Sequence, residues 1–554
     1  MKRFNQGSTS MIALIMIMVL LTVSLGVSGL VIGSMTRASR DRTTMVAFQA
    51  AQAGLDLQIA RAYRDLMAND GAFVSTDASL AYDLATLAPG SAATATVRPQ
   101  SDNTYAWVTN TVTYGGRTRS VRSMIRARNV GIWNNAIFAG TGASGQAING
   151  NVDIRGSVHI LGEGEAYSDL NSNGRWDAAE TFTDRNRNGV WDPGEAWVDA
   201  NNDGVWNSAE PYNDTNNNGL YDPPLTQTDL NSAFSGNAYI GNNYSGMDAG
   251  LEAQVPAPPR ISGIETLGAE VRCKHGRISI GGSATIGTDS LVDGGTSKAT
   301  VDGSFVSDGY TGTRGANSVY SDNGTNNSYD LGHLGIDFPL ISGIGAPPYV
   351  DRTGTTWPTQ EAYLDAKSMT VNLTSITATT AAFSYADTNG NSLTFTPEVR
   401  VGGTVVTPAS LAVNGIVKFT NDIQIGDSHQ TIRYSGNGTI FSKQDISISC
   451  NLLPKAGFTF PTTARIGLLA KRNLNLATGS GDAQLKMAGA FYAQGRIVSR
   501  KQNEIMGTFV SNFYDMGTNV PKIYQVPALP TNMPPAMPGD KLYFTLKVHS
   551  WRER

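Results

Sequence analysis

The sequence predicts a mainly β protein carried on one long N-terminal α-helix, with a right-handed parallel β-helix as the body and a β-sandwich as the alternative. Three observations predict it. An uncharged apolar run extends from Met11 to Ile32. Short alternating phrases closed by Gly or Asn recur across most of the chain beyond that run, and 60 of the 554 residues are glycine, above the usual share of about 7%. Charged residues make up only 16%, too few for a solvated disordered chain or a coiled coil. The glycines show no every-third-residue period, which excludes collagen. At roughly 100 to 200 residues per domain the length divides into about two to four domains.

The first element is the helix. The 22 residues from Met11 to Ile32 would span about 33 Å as a helix, close to the ~30 Å hydrocarbon core of a bilayer. A secretory signal peptide has a shorter apolar stretch and a small-residue cleavage site after it, so the run reads as a retained helix. Lys2 and Arg3 on one flank face Arg37, Arg40 and Arg42 on the other, and the positive-inside rule leaves orientation undecided. Phe48, Ala51, Leu55, Ile59, Ala62 and Leu66 keep three- and four-residue steps, and no proline precedes Pro89. The helix therefore continues out of the membrane and stops near Asn69-Asp70-Gly71, a rod of roughly 87 Å. Gly26, Gly29 and Gly33 each weaken it by about 1 kcal/mol relative to Ala.

The basic leader ending in Gly7, the uncharged helix after it, Arg40-Asp41-Arg42 and the block Ala47-Phe48-Gln49-Ala50-Ala51-Gln52-Ala53-Gly54-Leu55 together resemble the N-terminus of PilX-type minor pilins over residues 3 to 66. The resemblance implies cleavage by a prepilin peptidase after Gly7, a mature N-terminus at Ser8, and single-pass, N-in insertion in a bacterial inner membrane. It also implies assembly with other pilins and the pilus assembly platform, and a final place in a pilus or at the cell surface. Major pilins carry Glu at the fifth mature position, where this chain has Ile12, which argues against a bulk filament subunit. An ordinary anchor with an amphipathic stalk is the alternative. Residues 1–7 are thus read as leader, 8–71 as the helix, and 72–128 as a small sheet packed on it, as in pilin heads.

The β-rich body opens at 129–168, and residues 169–224 interrupt it. Within that segment 11 acidic residues face three arginines, a local charge of −8, while the whole chain carries −4. Acid this dense either stays disordered or is neutralised by a cation. Four loops repeat at a period of 15: Asp169, Asn171, Asn173, Asp177 and Glu180; Asp184, Asn186, Asn188, Asp192 and Glu195; Asp199, Asn201, Asp203, Asn207 and Glu210; Asp214, Asn216, Asn218 and Asp222. These are positions 1, 3, 5, 9 and 12 of the EF-hand calcium loop, with Gly174, Gly189, Gly204 and Gly219 at the sharp turn of position 6. A hard cation wants six to eight oxygens, and that spacing wraps one ion per loop. The expected cofactor is therefore calcium.

In the fourth loop position 12 is Leu225, so that site is expected to be weaker or to borrow a ligand. Only Thr181-Phe182-Thr183 separates Glu180 from Asp184, which leaves no room for flanking helices. The array resembles the tandem calcium repeats of thrombospondin type 3 or dockerin-like modules. Trp176, Trp191, Trp206 and Tyr221 at position 8, with Phe182, Trp197 and Tyr212 two residues after each Glu, are expected to stack as a small core. With no helix to open, the calcium would be structural, bound in the ~10⁻⁴ to 10⁻³ M range of extracellular modules.

Beyond the loops, 225–344 and 431–525 read as rungs from phrases such as Arg277-Ile-Ser-Ile-Gly281 and Ala490-Phe-Tyr-Ala-Gln-Gly-Arg-Ile-Val498. Residues 345–430 read as an antiparallel insertion with turns at Asp387-Thr-Asn-Gly390 and Gly402-Gly403. Residues 526–554 read as a Pro-rich strap and terminal strand. Cys273 and Cys450 are the only cysteines, so the choices are one long-range disulfide or two buried thiols.

Nothing in the composition supplies a basic surplus for phosphates, and nucleic acid is not an expected partner. Gly140-Thr-Gly142-Ala-Ser-Gly145 matches GxGxxG, yet a strand-like phrase comes after it rather than a helix. His159, His275, His333, His429 and His549 are scattered singly, and no GxSxG, HExxH or Walker A motif occurs. The expected function is that of a non-enzymatic minor pilin-like component of a type IV pilus or pseudopilus, acting in assembly, priming or adhesion to a host or surface ligand. The alternatives are a calcium-dependent polysaccharide-active surface enzyme and a membrane-anchored binding protein.

Overall fold

The computed structural model describes residues 6–69, 71–100, 105–142, 148, 151–162, 164–172, 175–199, 204–214, 220–221, 223, 236–261, 263–275, 278–288, 297–307, 310–311, 318–321, 328–331, 336–482, 484–516, 521–541 and 543–553. The chain divides into two compact units, Met1–Asn129 with Leu542–Arg554, and Val130–Lys541.

In the first unit α1 runs unbroken from Gln6 to Ala68, ending where the Asn-Asp-Gly composition predicts. Gly71 takes a left-handed φ of 86° and its N–H donates to Leu66 O at 2.9 Å, closing the helix. The apolar part of α1 lies fully exposed, with a mean hydropathy of 2.6 in its most apolar window. It is long and apolar enough to cross a membrane.

The second half of α1 lies on a five-stranded antiparallel sheet of β1 (Thr76–Ser79), β2 (Ala92–Pro99), β3 (Tyr105–Tyr114), β4 (Arg117–Asn129) and the terminal strand Phe544–Glu553. Alternation along β3 turns Ala106, Val108, Asn110 and Val112 inward against Ala50, Ala51, Leu55, Ala62 and Leu66 of the helix. The polar member of that row is tied to the helix through its amide nitrogen, Asn110 Nδ2 donating to Ala51 O at 2.8 Å. Gly54 makes this approach possible, because a Cβ there would run into the Asn110 amide.

The last strand, expected after the strap, runs Phe544–Glu553 and pairs antiparallel with β4 in the first unit, while the proline-rich stretch before it belongs to the second. In sequence, the whole second unit is therefore inserted between two neighbouring strands of one sheet.

The second unit is a parallel β-helix, and the β-sandwich alternative does not form. The chain enters it in the middle. Ile137–Gly142 pairs in parallel with Val158–Ile160 on one side and with Glu504–Asp515 on the other. One stack continues through Glu270–Cys273 and Gly303–Val306 to Tyr329–Asp330. The other climbs from Met369–Thr370 through Ala409–Phe419, Asn437–Ser442, Arg465–Ala470 and Lys486–Val498 and meets the entry strand at Glu504–Asp515. The described rungs of 225–344 and of 431–525 thus belong to one solenoid. Its rungs are buried on both faces, with Leu468, Phe491 and Phe509 stacked in one row and Phe441, Leu469, Tyr492 and Phe138 in the row that points the other way. The antiparallel piece expected at 345–430 is present with both expected turns: Phe383–Ala386 pairs with Ser392–Thr396, laid on the Ala409–Phe419 strand that also carries the parallel stack, and Val399–Val401 pairs with Thr404–Thr407.

Both cysteines are buried and not joined in a disulfide, so the disulfide reading gives way to two buried thiols. They lie in different rungs, Cys273 at the end of Glu270–Cys273 and Cys450 just before Asn451–Pro454. Burial pushes the Cys450 thiol well above its ordinary value.

His159 is sealed between rungs with its ring 5.2 Å from Phe138, and neither ring nitrogen has a hydrogen-bond partner. Burial first, then Arg272 and Lys274, hold its pKa well below the ordinary 6.5. The folded histidine is neutral while the unfolded one protonates near 6.5, so the stability it contributes is complete above that pH and is lost as pH falls below it. The melting temperature is expected to drop between about pH 7 and pH 5, and His159→Gln to flatten that dependence, as measured by thermal melts across the range.

Candidate functional site

The second loop is described throughout and shows how these residues fold. Asp184 Oδ2 accepts the Gly189 N–H at 2.8 Å, Asn186 Oδ1 accepts the Asn188 N–H at 3.0 Å, and Asn188 Oδ1 accepts the Val190 N–H at 2.8 Å. The amides of Asn186 and Asn188 both reach Asp192 Oδ2, at 2.6 and 2.9 Å. Side chains at positions 1, 3, 5 and 9 thereby converge on one point. Gly189, with φ 76°, takes the left-handed turn that a residue with a Cβ adopts only at a cost. The first and third loops repeat parts of this pattern, with Asn171 Nδ2 on Asp177 Oδ2 at 2.8 Å and the Gly204 N–H on Asp199 Oδ2 at 2.9 Å.

Glu195 closes its own loop: Oε1 accepts the Arg185 N–H at 2.7 Å and Oε2 the Asp192 N–H at 3.0 Å. The other two glutamates do not, which corrects the expected grouping. Glu210 sits on the first loop, accepting Leu170 N–H at 2.7 Å and Asp177 N–H at 3.1 Å, and Glu180 sits on the third, accepting Asn207 N–H at 2.9 Å. Backbone bonds repeat the exchange, Glu210 N–H to Asp177 O at 3.0 Å and Glu180 N–H to Asn207 O at 3.1 Å. The cause is a pair of antiparallel bridges, Tyr167 with Tyr212 and Phe182 with Trp197. They bring distant repeats side by side. An open cleft of about 630 Å³ lined by Asn171, Asp177, Glu180, Trp206 and Glu210 lies where the exchange occurs.

The expected aromatic stacking is present. Trp191 lies 5.1 Å from Trp206 with the rings 6° from parallel, and Trp176 stacks on Tyr221 at 4.7 Å. Each loop thus contributes a ring to one of two small aromatic cores.

The donor set is all oxygen, from carboxylates and amides, which suits a hard cation and not zinc. Among the described residues no three Asp, Glu, His or Cys side chains cluster as a metal group; in the second loop positions 3 and 5 are the amides Asn186 and Asn188. Asn173, Asn201, Asp203, Asn216, Asn218 and Asp222 lie outside the described residues. Gly7 and Ser8 fall in the first turn of α1. The GxGxxG match begins inside the strand Ile137–Gly142, and its remaining residues lie outside the description.

No protein-family model matches the chain, and no curated protein matches it. Among solved structures it is similar to the competence-associated pilin ComZ from Thermus thermophilus, with 19% sequence identity and a TM-score of 0.49, over 92% of this chain and 97% of that one.

Proposed function

We propose that the chain is a minor pilin-like subunit, non-enzymatic, that is processed after Gly7, held in the bacterial inner membrane by α1, and then drawn into a type IV pilus or pseudopilus. The observation that carries this reading is the division of α1. Its apolar first part is bare over the length of a bilayer, and its second part is clamped to an antiparallel sheet. A helix built this way can exchange lipid for neighbouring helices of its own kind without unfolding its head. The partners are other pilins, the prepilin peptidase and the assembly platform. A body of this size favours a place near the filament tip, in priming or adhesion.

Calcium is the second part of the proposal. The loops 169–222 would hold it through Asp169, Asp184, Asp199 and Asp214 at position 1 and through the exchanged glutamates, and the ions would offset the local charge of −8. The test of the pilin reading is Gly7→Val. The variant is expected to keep residues 1–7, to stay in the membrane and to be missing from sheared filaments. Normal processing and normal filaments would contradict it.

A further inference from the structure

The exchange of glutamates obeys one rule. A loop that follows one strand of a bridge is closed by the glutamate that precedes the other strand. The loop after Phe182 is closed by Glu195, two residues before Trp197. The loop after Trp197 is closed by Glu180, two residues before Phe182. The loop after Tyr167 is closed by Glu210, two residues before Tyr212. The loop after Tyr212 is the fourth, which has Leu225 where its own glutamate would stand. The residue two before Tyr167 is Glu165.

We infer that Glu165 is the acidic ligand of the fourth calcium loop. With each glutamate counted with the loop that follows it, Glu165 with the first, Glu180 with the second, Glu195 with the third and Glu210 with the fourth, the array is then two reciprocal pairs, the first loop with the fourth and the second with the third, each pair exchanging glutamates. This rests on the calcium reading above. Two further observations support it. Glu165 is 3% exposed, in line with Glu180, Glu195 and Glu210 at 7, 8 and 4%, although carboxylates are seldom buried without a purpose. In addition, in the first and third loops the position-8 ring packs against the ring that follows the closing glutamate: Trp176 on Tyr212 at 5.8 Å and Trp206 on Phe182 at 6.2 Å. The fourth loop does the same toward Glu165, with Tyr221 on Tyr167 at 5.6 Å. Of the fourth loop, Asp214, Leu220 and Tyr221 are described, and its remaining ligands are those named by the motif.

Reciprocity has a consequence for binding. Removing a glutamate leaves the loop that follows it intact and empties the loop paired with that one.

The experiment is calorimetric calcium titration of the full-length, calcium-stripped chain in detergent, with near-isosteric variants that should spare the fold and a thermal melt of the β-helix as the folding check. Wild type is expected to bind four ions. Asp169→Asn and Glu210→Gln are each expected to lose one ion and, combined, still only one. Glu210→Gln with Asp199→Asn should lose two. Glu165→Gln and Asp214→Asn should likewise share one lost ion. The opposite pairing, with Glu210 and Asp199 sharing an ion, would overturn the exchange. Full uptake by Glu165→Gln would overturn the assignment of Glu165. No calcium uptake by wild type would instead overturn the calcium reading itself, a different outcome from either.

Discussion

Chelating calcium from the full-length chain is expected to expose residues 169–222 to protease while the β-helix on either side stays protected. The reason lies in how weakly that segment is held without ions. It has neither a helix nor a strand among its described residues, only the two bridges and the stacked rings. Against that small core stand 11 acidic side chains with three arginines. Calcium at about ten times the dissociation constant of a site adds about 1.4 kcal/mol to the folded form, so four sites together contribute about as much as the aromatic stacks do at about 0.5 to 1.5 kcal/mol a pair. Limited proteolysis with mass mapping, with and without EGTA, reads the effect directly. Cuts confined to the chelated sample and to this segment are the expected result, and identical cutting in both samples would refute it.

Gly507→Val is expected to unfold the β-helix. Gly507 takes a φ of +136° opposite Gly489 in the pair of longest rungs, and a Cβ there would be driven into the Gly489 carbonyl oxygen. Neither chain can retreat, since Phe491 and Phe509 fill the adjoining layer with rings 5.4 Å apart. Backbone strain of about 1 to 3 kcal/mol adds to overpacking of about 1 to 3 kcal/mol. The sum is a large part of the roughly 5 to 15 kcal/mol that holds a domain together. Gly390→Ala is the control: its φ is +84° but no atom lies within 4 Å of the added carbon, so it should cost only about 1 kcal/mol. Thermal melts of the two variants should differ sharply, and equal melting points would show that the close approach at Gly507 is not what matters.

Much of this fold was legible because it is written locally. The apolar run and the three- and four-residue steps to Leu66 placed α1 to within a turn, because helix periodicity and the Asn-Gly stop are properties of neighbouring residues. The rungs were legible as alternating phrases, and the loops as a spacing of oxygens. The pairings were not legible, because they are set at a distance. Nothing near Ile137 says that it stacks on Phe509, or that Phe544–Glu553 returns to β4. The glutamates are the clearest case. The period of 15 identified each of Glu180, Glu195 and Glu210 as a closing residue, but which loop each closes depends on the bridges of Phe182 with Trp197 and Tyr167 with Tyr212. Glu165 could have been found by counting one period back from Glu180. It stands before the first aspartate of the motif, where no loop of its own precedes it in the usual order. Cysteine spacing, likewise, carries no information on whether two thiols meet.

The central claim is that this helix is processed and assembled as a pilin helix. Mass spectrometry of the native N-terminus, taken from sheared surface filaments and from membranes, tests it most directly. A peptide beginning at Ser8 and present in the filaments is the expected result. An intact Met1 confined to membranes would contradict it and leave α1 as a static anchor.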